Sequence, residues 1–301
     1  MAQKVTVFYS KNYQMKRPEY VTDERLKHFI SEAFNEDVGE GDHSTLGSVC
    51  ADARDSAQLL VKEECVLAGV ELAGEIFKFF DPELKFEVLI ADGTAVKPGD
   101  IAFTVSGSAR SLLTTERLML NCMQRMSGIA TMASEAVKAV EGTGVRILDT
   151  RKTTPNFRMC EKWAVAIGGA HNHRYGLYDM VMLKDNHNDY AGSITKSVNS
   201  VKKYLIENHK NLKIEVETRN LDEVNEALST GLVDIIMLDN MTNDQMREAV
   251  ALIGDSCETE ASGGITLETL RGVAGTGVDF ISSGAIIHSA PNKDLSLKAI
   301  R

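Results

Sequence analysis

Between Arg151 and His187 the chain carries six basic side chains, Arg151, Lys152, Arg158, Lys162, Arg174 and Lys184, against three acids, Glu161, Asp179 and Asp185. His171, His173 and His187 share the stretch. The whole chain has a formal net charge of −10, so this local cationic excess stands out. Arginine forks grip carboxylates and phosphates bidentately, and lysine supplies a mobile point charge. Arg151, Lys152, His173, Arg174 and Lys184 therefore form a set suited to a polyanionic small molecule. The competing account pairs some of them with Asp149, Asp179 or Asp185 as salt bridges on a barrel rim.

Glu217 and Asp239 form an acidic set further along. Glu215 and Glu217 share one side of a strand, with Glu217 nearer its C-terminal end. Carboxylates beside a cationic pocket can hold Mg²⁺, ribose hydroxyls or a developing positive charge. For Glu215, neutralising a barrel interior is at least as good an account. Ser262-Gly263-Gly264 and Ser283-Gly284-Ala285 end two late strands in small residues. Their backbone N–H groups suit a phosphate, and tight turns with close packing explain them as well. No His/Cys cluster has transition-metal spacing. Cys50, Cys65, Cys122, Cys160 and Cys257 are dispersed without a CxxC pair, which points to a reducing cytoplasm. Cys160 and Cys257 read as core thiols.

These side chains need a scaffold. After Gly144 the sequence alternates strand and helix, with strands expected at 145–148, 180–183, 213–216, 234–238, weakly at 257–260, and at 278–282. Helices with apolar stripes lie between them, as in LDEVNEAL and MREAVALI. Asn220-x-x-Glu223 and Thr242-x-x-Gln245 resemble capping boxes, and Gly231 and Gly254 sit where helices should stop. Such alternation predicts parallel strands with right-handed crossovers, at barrel-like spacing. Each strand runs out into polar residues: VRIL-DTRKTTP, MVML-KDNH, KIEVE-TRN, IIML-DN, ETEA-SGG and FIS-SGA. Loops are polar in any protein, but α/β barrels carry their chemistry at these ends.

Before Gly144 the texture differs. KVTVFYS reads as a short strand, and a helix follows from Thr22, with Leu26, Phe29, Ile30, Ala33 and Phe34 on one stripe, ending near GEGD. Residues 56–110 are mostly strands and turns around the helical LAGEIFKFF. A second helix begins near Ser111 and runs towards Val140. The acidic balance disfavours nucleic acid and anionic membrane as partners. A hydrophobic content of 43% supports a buried core, with neither a signal peptide nor a membrane span expected.

The stretch DTRKTTPNFRMCEKWAVAIGGAHNHRYGLYDMVMLKDNH strongly resembles the quinolinate phosphoribosyltransferase family, the type II phosphoribosyltransferases. So do GEGDHST, LVKEECVLAGVELA, LLTTERLMLNCMQRMSGIAT, IEVETRNLDEV, IIMLDNM, EASGGITLETL and GVDFISSGAIIHS. The likeness covers nearly all of the chain after about Thr22. It implies an open, TIM-like α/β barrel over 128–285. It also implies an N-terminal α/β sandwich over 1–127, completed by the tail 286–301. It further implies a homodimer with shared active sites, alone or assembled into a hexamer of dimers. Arg117 would then reach a partner's quinolinate; an intrahelical ion pair is the other account of that residue.

Carried over position by position, the resemblance sets Arg117, Arg151, His173, Arg174 and Lys184 around quinolinate. Lys152, Glu217, Asp239, Asn240, Ser262, Gly263, Gly264, Gly284 and His288 would meet phosphoribosyl pyrophosphate, with Lys152, Glu217 and Asp239 catalytic. Mg²⁺ is the implied cofactor, near Glu217 and Asp239 directly or through water. The implied enzyme is a pentosyltransferase of NAD biosynthesis, giving nicotinate mononucleotide, pyrophosphate and CO₂. One departure is Ala170, where the family usually has a third glycine; it is tolerable if the local φ is negative. Three alternatives stand beside this reading. One is a related transferase acting on nicotinate or another aromatic acid. The others are an aldolase-type lyase using Lys152 or Lys184, and a catalytically silent metabolite-binding paralogue.

Overall fold

The computed structural model of the chain describes residues 17–300, so the expected strand KVTVFYS lies outside the described residues. The described chain divides into two units. The second consists of Glu135–Lys152 and Ala170–His288, and the first of the remainder, including Thr153–Gly169. The sequence placed that segment in the barrel and set a boundary at 127/128, which falls inside the continuous helix Ala109–Ala139. Local packing explains where the segment goes. A Cβ on Gly168 would lie 2.4 Å from the Ala130 carbonyl oxygen, so this glycine lets two backbones touch. Arg125 also grips the fully buried Glu161 at 2.9 Å.

In the first unit β1 (Arg54–Val61), β2 (Cys65–Val66), β3 (Lys85–Val88), β4 (Ala95–Val96) and β5 (Ile101–Ser108) surround the helix Val70–Phe80 in sequence. The main sheet is antiparallel, ordered C-terminal strand (Leu295–Ala299), β1, β5, β3, so the tail does complete it. Ala57, Leu59 and Val61 alternate inward along β1, as period-two burial requires. Phe77, Phe86 and Phe103 form an aromatic cluster with centroids 4.8 to 6.0 Å apart. Helix Val70–Phe80 follows Gly69 in the left-handed region, a cap without a side chain. Asp92 supplies the missing acceptor, taking the Val70 and Glu71 N–H groups at 2.8 and 3.1 Å.

The second unit holds the predicted alternation. Its strands are β6 (Arg146–Leu148), β7 (Val181–Leu183), β8 (Ile214–Thr218), β9 (Ile235–Asp239), β10 (Glu258–Ser262) and β11 (Phe280–Ser282). All pair in parallel in the order β6-β11-β10-β9-β8-β7, leaving β6 and β7 as the edges of an open α/β barrel. Of the two expected capping boxes, Thr242–Gln245 forms. Asn220 caps the Glu223 N–H, but the Glu223 carboxylate turns to the Arg219 N–H, leaving that box half made. Gly231 and Gly254 take positive φ just beyond their helices. Among the described residues no helix is long and apolar enough to cross a membrane.

Candidate active site

The C-terminal ends of the barrel strands bring together almost all of the predicted set. Asp149, fully buried just past β6, accepts the His173 N–H at 2.8 Å and the Asn172 side-chain amide at 2.7 Å. This clamp ties the His-Asn-His-Arg loop to the end of β6. Asp179 does similar work further on, accepting the Tyr175 and Gly176 N–H groups at 2.6 and 3.0 Å. Both acids therefore hold loop groups in place.

Among the described residues neither Arg151 nor Arg174 makes an ion pair, although the charges of Glu215 and Asp179 act on Arg174. Arg174 donates to the Met180 carbonyl at 3.2 Å and lies against the Met182 sulfur. Burial lowers its pKa, and the positive charge of Arg151 lowers it further. The Nε of Arg151 is buried with no hydrogen-bond partner among the described residues. A buried guanidinium nitrogen with nothing to bond is costly unless a ligand fills the place.

Beneath them sits a buried cluster. His173 Nε2 lies 3.1 Å from Glu215 and 3.3 Å from Glu260, and all three side chains are at most 5% exposed. Burial works against an imidazolium, but the two carboxylates outweigh it and push the His173 pKa up to about 10. The Arg174 N–H donates to Nδ1 at 2.7 Å, so Nε2 is the ring nitrogen that faces the acids. Burial also pushes the Glu215 carboxyl up to about 7.

The acidic set stands on adjacent strands. Lys184, just past β7, donates to Glu217 on β8 at 2.7 Å. Asp239 ends β9 in register with Ser262 at the end of β10. Burial raises the Asp239 pKa; the 2.8 Å hydrogen bond from Asn240 lowers it, and the nearby Glu217 raises it. Asn240 has φ +53, uncommon outside glycine, and its side chain fills the space where a Gly263 Cβ would stand. Gly263 and Gly264 are both in positive φ, which opens their backbone to the site. A Cβ on Gly284 would meet the Lys152 stem at 2.8 Å and the His288 ring at 3.1 Å, so the glycine makes room for both.

The opposite end of the sheet is structural. A cavity of about 420 Å³ there is lined by Lys213, Asp234, Cys257, Glu258 and Asp279. Three of its four acids are already engaged: Glu258 with Arg146 and Lys213, Asp234 with the Ile214 N–H, and Asp279 with the Thr259 N–H. In α/β barrels this end serves stability.

Two domain families match the chain: the quinolinate phosphoribosyl transferase N-terminal domain over residues 42–127, and its C-terminal domain over residues 129–298. The chain belongs to the quinolinate phosphoribosyl transferase family. It is 46% identical over 287 residues to a probable nicotinate-nucleotide pyrophosphorylase (carboxylating) of Synechocystis, covering 94% of each protein. It is 43% identical to quinolinate phosphoribosyltransferase (decarboxylating) 2b, mitochondrial, of Nicotiana tabacum, covering 95% of this chain and 85% of that one. The crystal structure of NadC from Streptococcus pyogenes superposes with a TM-score of 0.87 at 38% identity, covering 93% of this chain and 99% of that one.

Against the family pattern, Ala170 has no positive φ and is buried, so its methyl group is conformationally free of cost. Arg117 lies in the first unit, exposed on the helix Ala109–Ala139, and makes no ion pair among the described residues. The intrahelical account of it is thereby removed. Sequence reasoning missed Glu260 as a site residue and read Asp149 only as a salt-bridge partner. The signal for Glu260 was present: it sits two residues before Ser262 on β10, and so on the same inward face. Cys160 is a buried thiol held well above its ordinary pKa by desolvation, as expected of a core cysteine, whereas Cys257 is only half-buried and lines the cavity at the opposite end of the sheet.

Proposed function

We propose that this chain joins the ring nitrogen of quinolinate to C1 of 5-phosphoribosyl 1-pyrophosphate, releasing pyrophosphate, and then loses CO₂ to give nicotinate mononucleotide. The observation that carries this reading is the pair Arg151 and Arg174, two neighbouring guanidiniums that make no ion pair among the described residues, with the Arg151 Nε buried and unbonded. They stand in the same unit as the Glu217–Asp239 acid set. A dicarboxylate suits the first group and a sugar losing its leaving group suits the second.

Departure of pyrophosphate builds positive charge on the ribose ring. Glu217 and Asp239, fixed by Lys184 and Asn240, stabilise that charge without having to reorganise. Lys152, its stem lying over Gly284, offers a cation to the phosphate groups. Gly263, Gly264 and Gly284 present backbone to the 5-phosphate, with Ser262 and His288 beside them. Once the pyridine nitrogen bears the ribose it is cationic, and it accepts the electron pair left behind by CO₂. No decarboxylation cofactor is then required.

Mg²⁺ is part of this proposal. The repulsion from Glu217 that helps raise the Asp239 pKa is what a divalent cation at these two carboxylates, direct or through water, would relieve. When bound it would supply charge neutralisation to the leaving pyrophosphate. The proposal also includes a cytoplasmic setting, favoured by cysteines that are all free, and a homodimer in which Arg117 serves the partner's site.

The test is incubation with quinolinate, the phosphoribosyl donor and Mg²⁺, with nicotinate in a parallel tube. Release of labelled CO₂ and formation of the mononucleotide from quinolinate support the reading. Turnover of nicotinate alone would replace it with the related-transferase alternative.

A further inference from the structure

The imidazole of His173 has no free face for a ligand. Nδ1 accepts the Arg174 N–H, Nε2 points between Glu215 and Glu260, and the side chain is 5% exposed. Its own backbone N–H is held by Asp149. The ring thus spans the barrel interior, from the loop that carries Arg174 to two strands that carry acids, β8 and β10. All four carboxylate oxygens are buried and make no hydrogen bond among the described residues, so the acids meet the ring through charge.

Resting on the function proposed above, we infer that Glu260 and Glu215 are positioning residues for the acceptor pocket, acting through His173 to fix the backbone from which Arg174 projects. Three observations support this. The path is continuous: Glu260 and Glu215 face Nε2 at 3.3 and 3.1 Å, and Nδ1 takes the Arg174 N–H at 2.7 Å. The arrangement is costly to bury unless it serves something, since two carboxylates with no solvent share one imidazole. The electrostatics point the same way, because the Glu215 charge opposes the repulsion of Arg151 on Arg174. The acid beside Arg174 thus offsets part of the cost of holding two like charges close together before a dianion arrives. His173 is then a strut, and Arg151, Arg174 and Lys184 are left to meet the ligand.

The test compares Glu260→Ala and Glu260→Gln with the wild-type protein, alone and in a His173→Ala background. Wild-type turnover of quinolinate comes first, and its absence would sink the functional reading without bearing on the strut. Given turnover, Glu260→Ala should raise the KM for quinolinate by about tenfold while that for the ribosyl donor moves less than about twofold. Glu260→Gln, which keeps an oxygen facing Nε2 but not the charge, should recover part of the loss. In the His173→Ala background Glu260→Ala should add nothing, because the path is already cut. Equal changes in both KM values, or a full additive effect without His173, would overturn the inference. If Glu260→Ala fails to fold, the same measurements on Glu215→Gln and Glu260→Gln together decide it, with a selective rise for quinolinate expected. Metal analysis of the wild-type protein closes the test. A stoichiometric transition-metal ion lost in Glu260→Gln would make the three side chains a cation site and overturn the strut.

Discussion

Lys184 Nζ donates to Glu217 Oε2 at 2.7 Å, so one lysine from the cationic set is tied to one acid of the other set. The two sets that look separate in the sequence meet at this bond. Glu217→Gln should keep the shape but lose the charge facing the ribose. We expect kcat to fall by about a hundredfold, with thermal stability little changed. Steady-state kinetics beside a melting curve checks this; wild-type kcat would remove Glu217 from the chemistry.

Lys152→Ala should nearly abolish turnover in a protein that stays folded. Gly284→Ala tests the same group indirectly, since its methyl would meet the Lys152 stem at 2.8 Å. A fall of about tenfold or more in kcat is expected there, because small misplacements of a catalytic group are expensive. A fully active Gly284→Ala variant would show that the lysine stem relocates freely.

Arg117→Ala should raise the KM for quinolinate more than that for the ribosyl donor. If the residue serves a partner's site, mixing Arg117→Ala with Lys152→Ala at a quinolinate concentration too low for Arg117→Ala to turn over should restore part of the activity. Mixed dimers then contain one intact site. No recovery on mixing, under conditions where subunits exchange, would place Arg117 in its own chain's site.

Asp239 carries a pKa raised by burial and lowered in part by Asn240. It must be ionised to face a cationic ribose, so activity should fall as pH drops through that raised pKa. Asn240→Gly keeps the left-handed backbone without strain and removes the hydrogen bond. The acidic limb of the rate profile should then move to higher pH. A limb that stays put or moves lower would contradict the assignment.

Away from the site, Asp92→Ala removes the carboxylate that caps helix Val70–Phe80 from outside. A loss of about 1–2 kcal/mol is expected by denaturant melting. A neutral result would mean that water caps the helix equally well.

The barrel was legible because its strands are short apolar runs that end in polar clusters, and even the weak run at 257–260 proved to be β10. The site was legible where residue type implies chemistry, as at Arg151, Arg174, Glu217 and Asp239. Three features were not. The grouping of Thr153–Gly169 depends on contacts of Arg125 and Ala130 with residues over thirty positions away, which periodicity does not encode. The Glu223 carboxylate chooses Arg219 over its own cap, a competition settled by geometry. Glu260 is an acid on an inward strand position, and only the fold shows that it meets His173.

The strand Leu295–Ala299 pairs with β1 along five residues, yet it follows the entire barrel unit in the chain. During synthesis β1 must wait, with that edge unpaired, until the ribosome has made the whole of the second unit. An exposed strand edge is a template for joining to other chains. The final strand is therefore a closure step for folding, and premature termination just before it should give a protein that clumps, even though every residue at the barrel mouth has already been made.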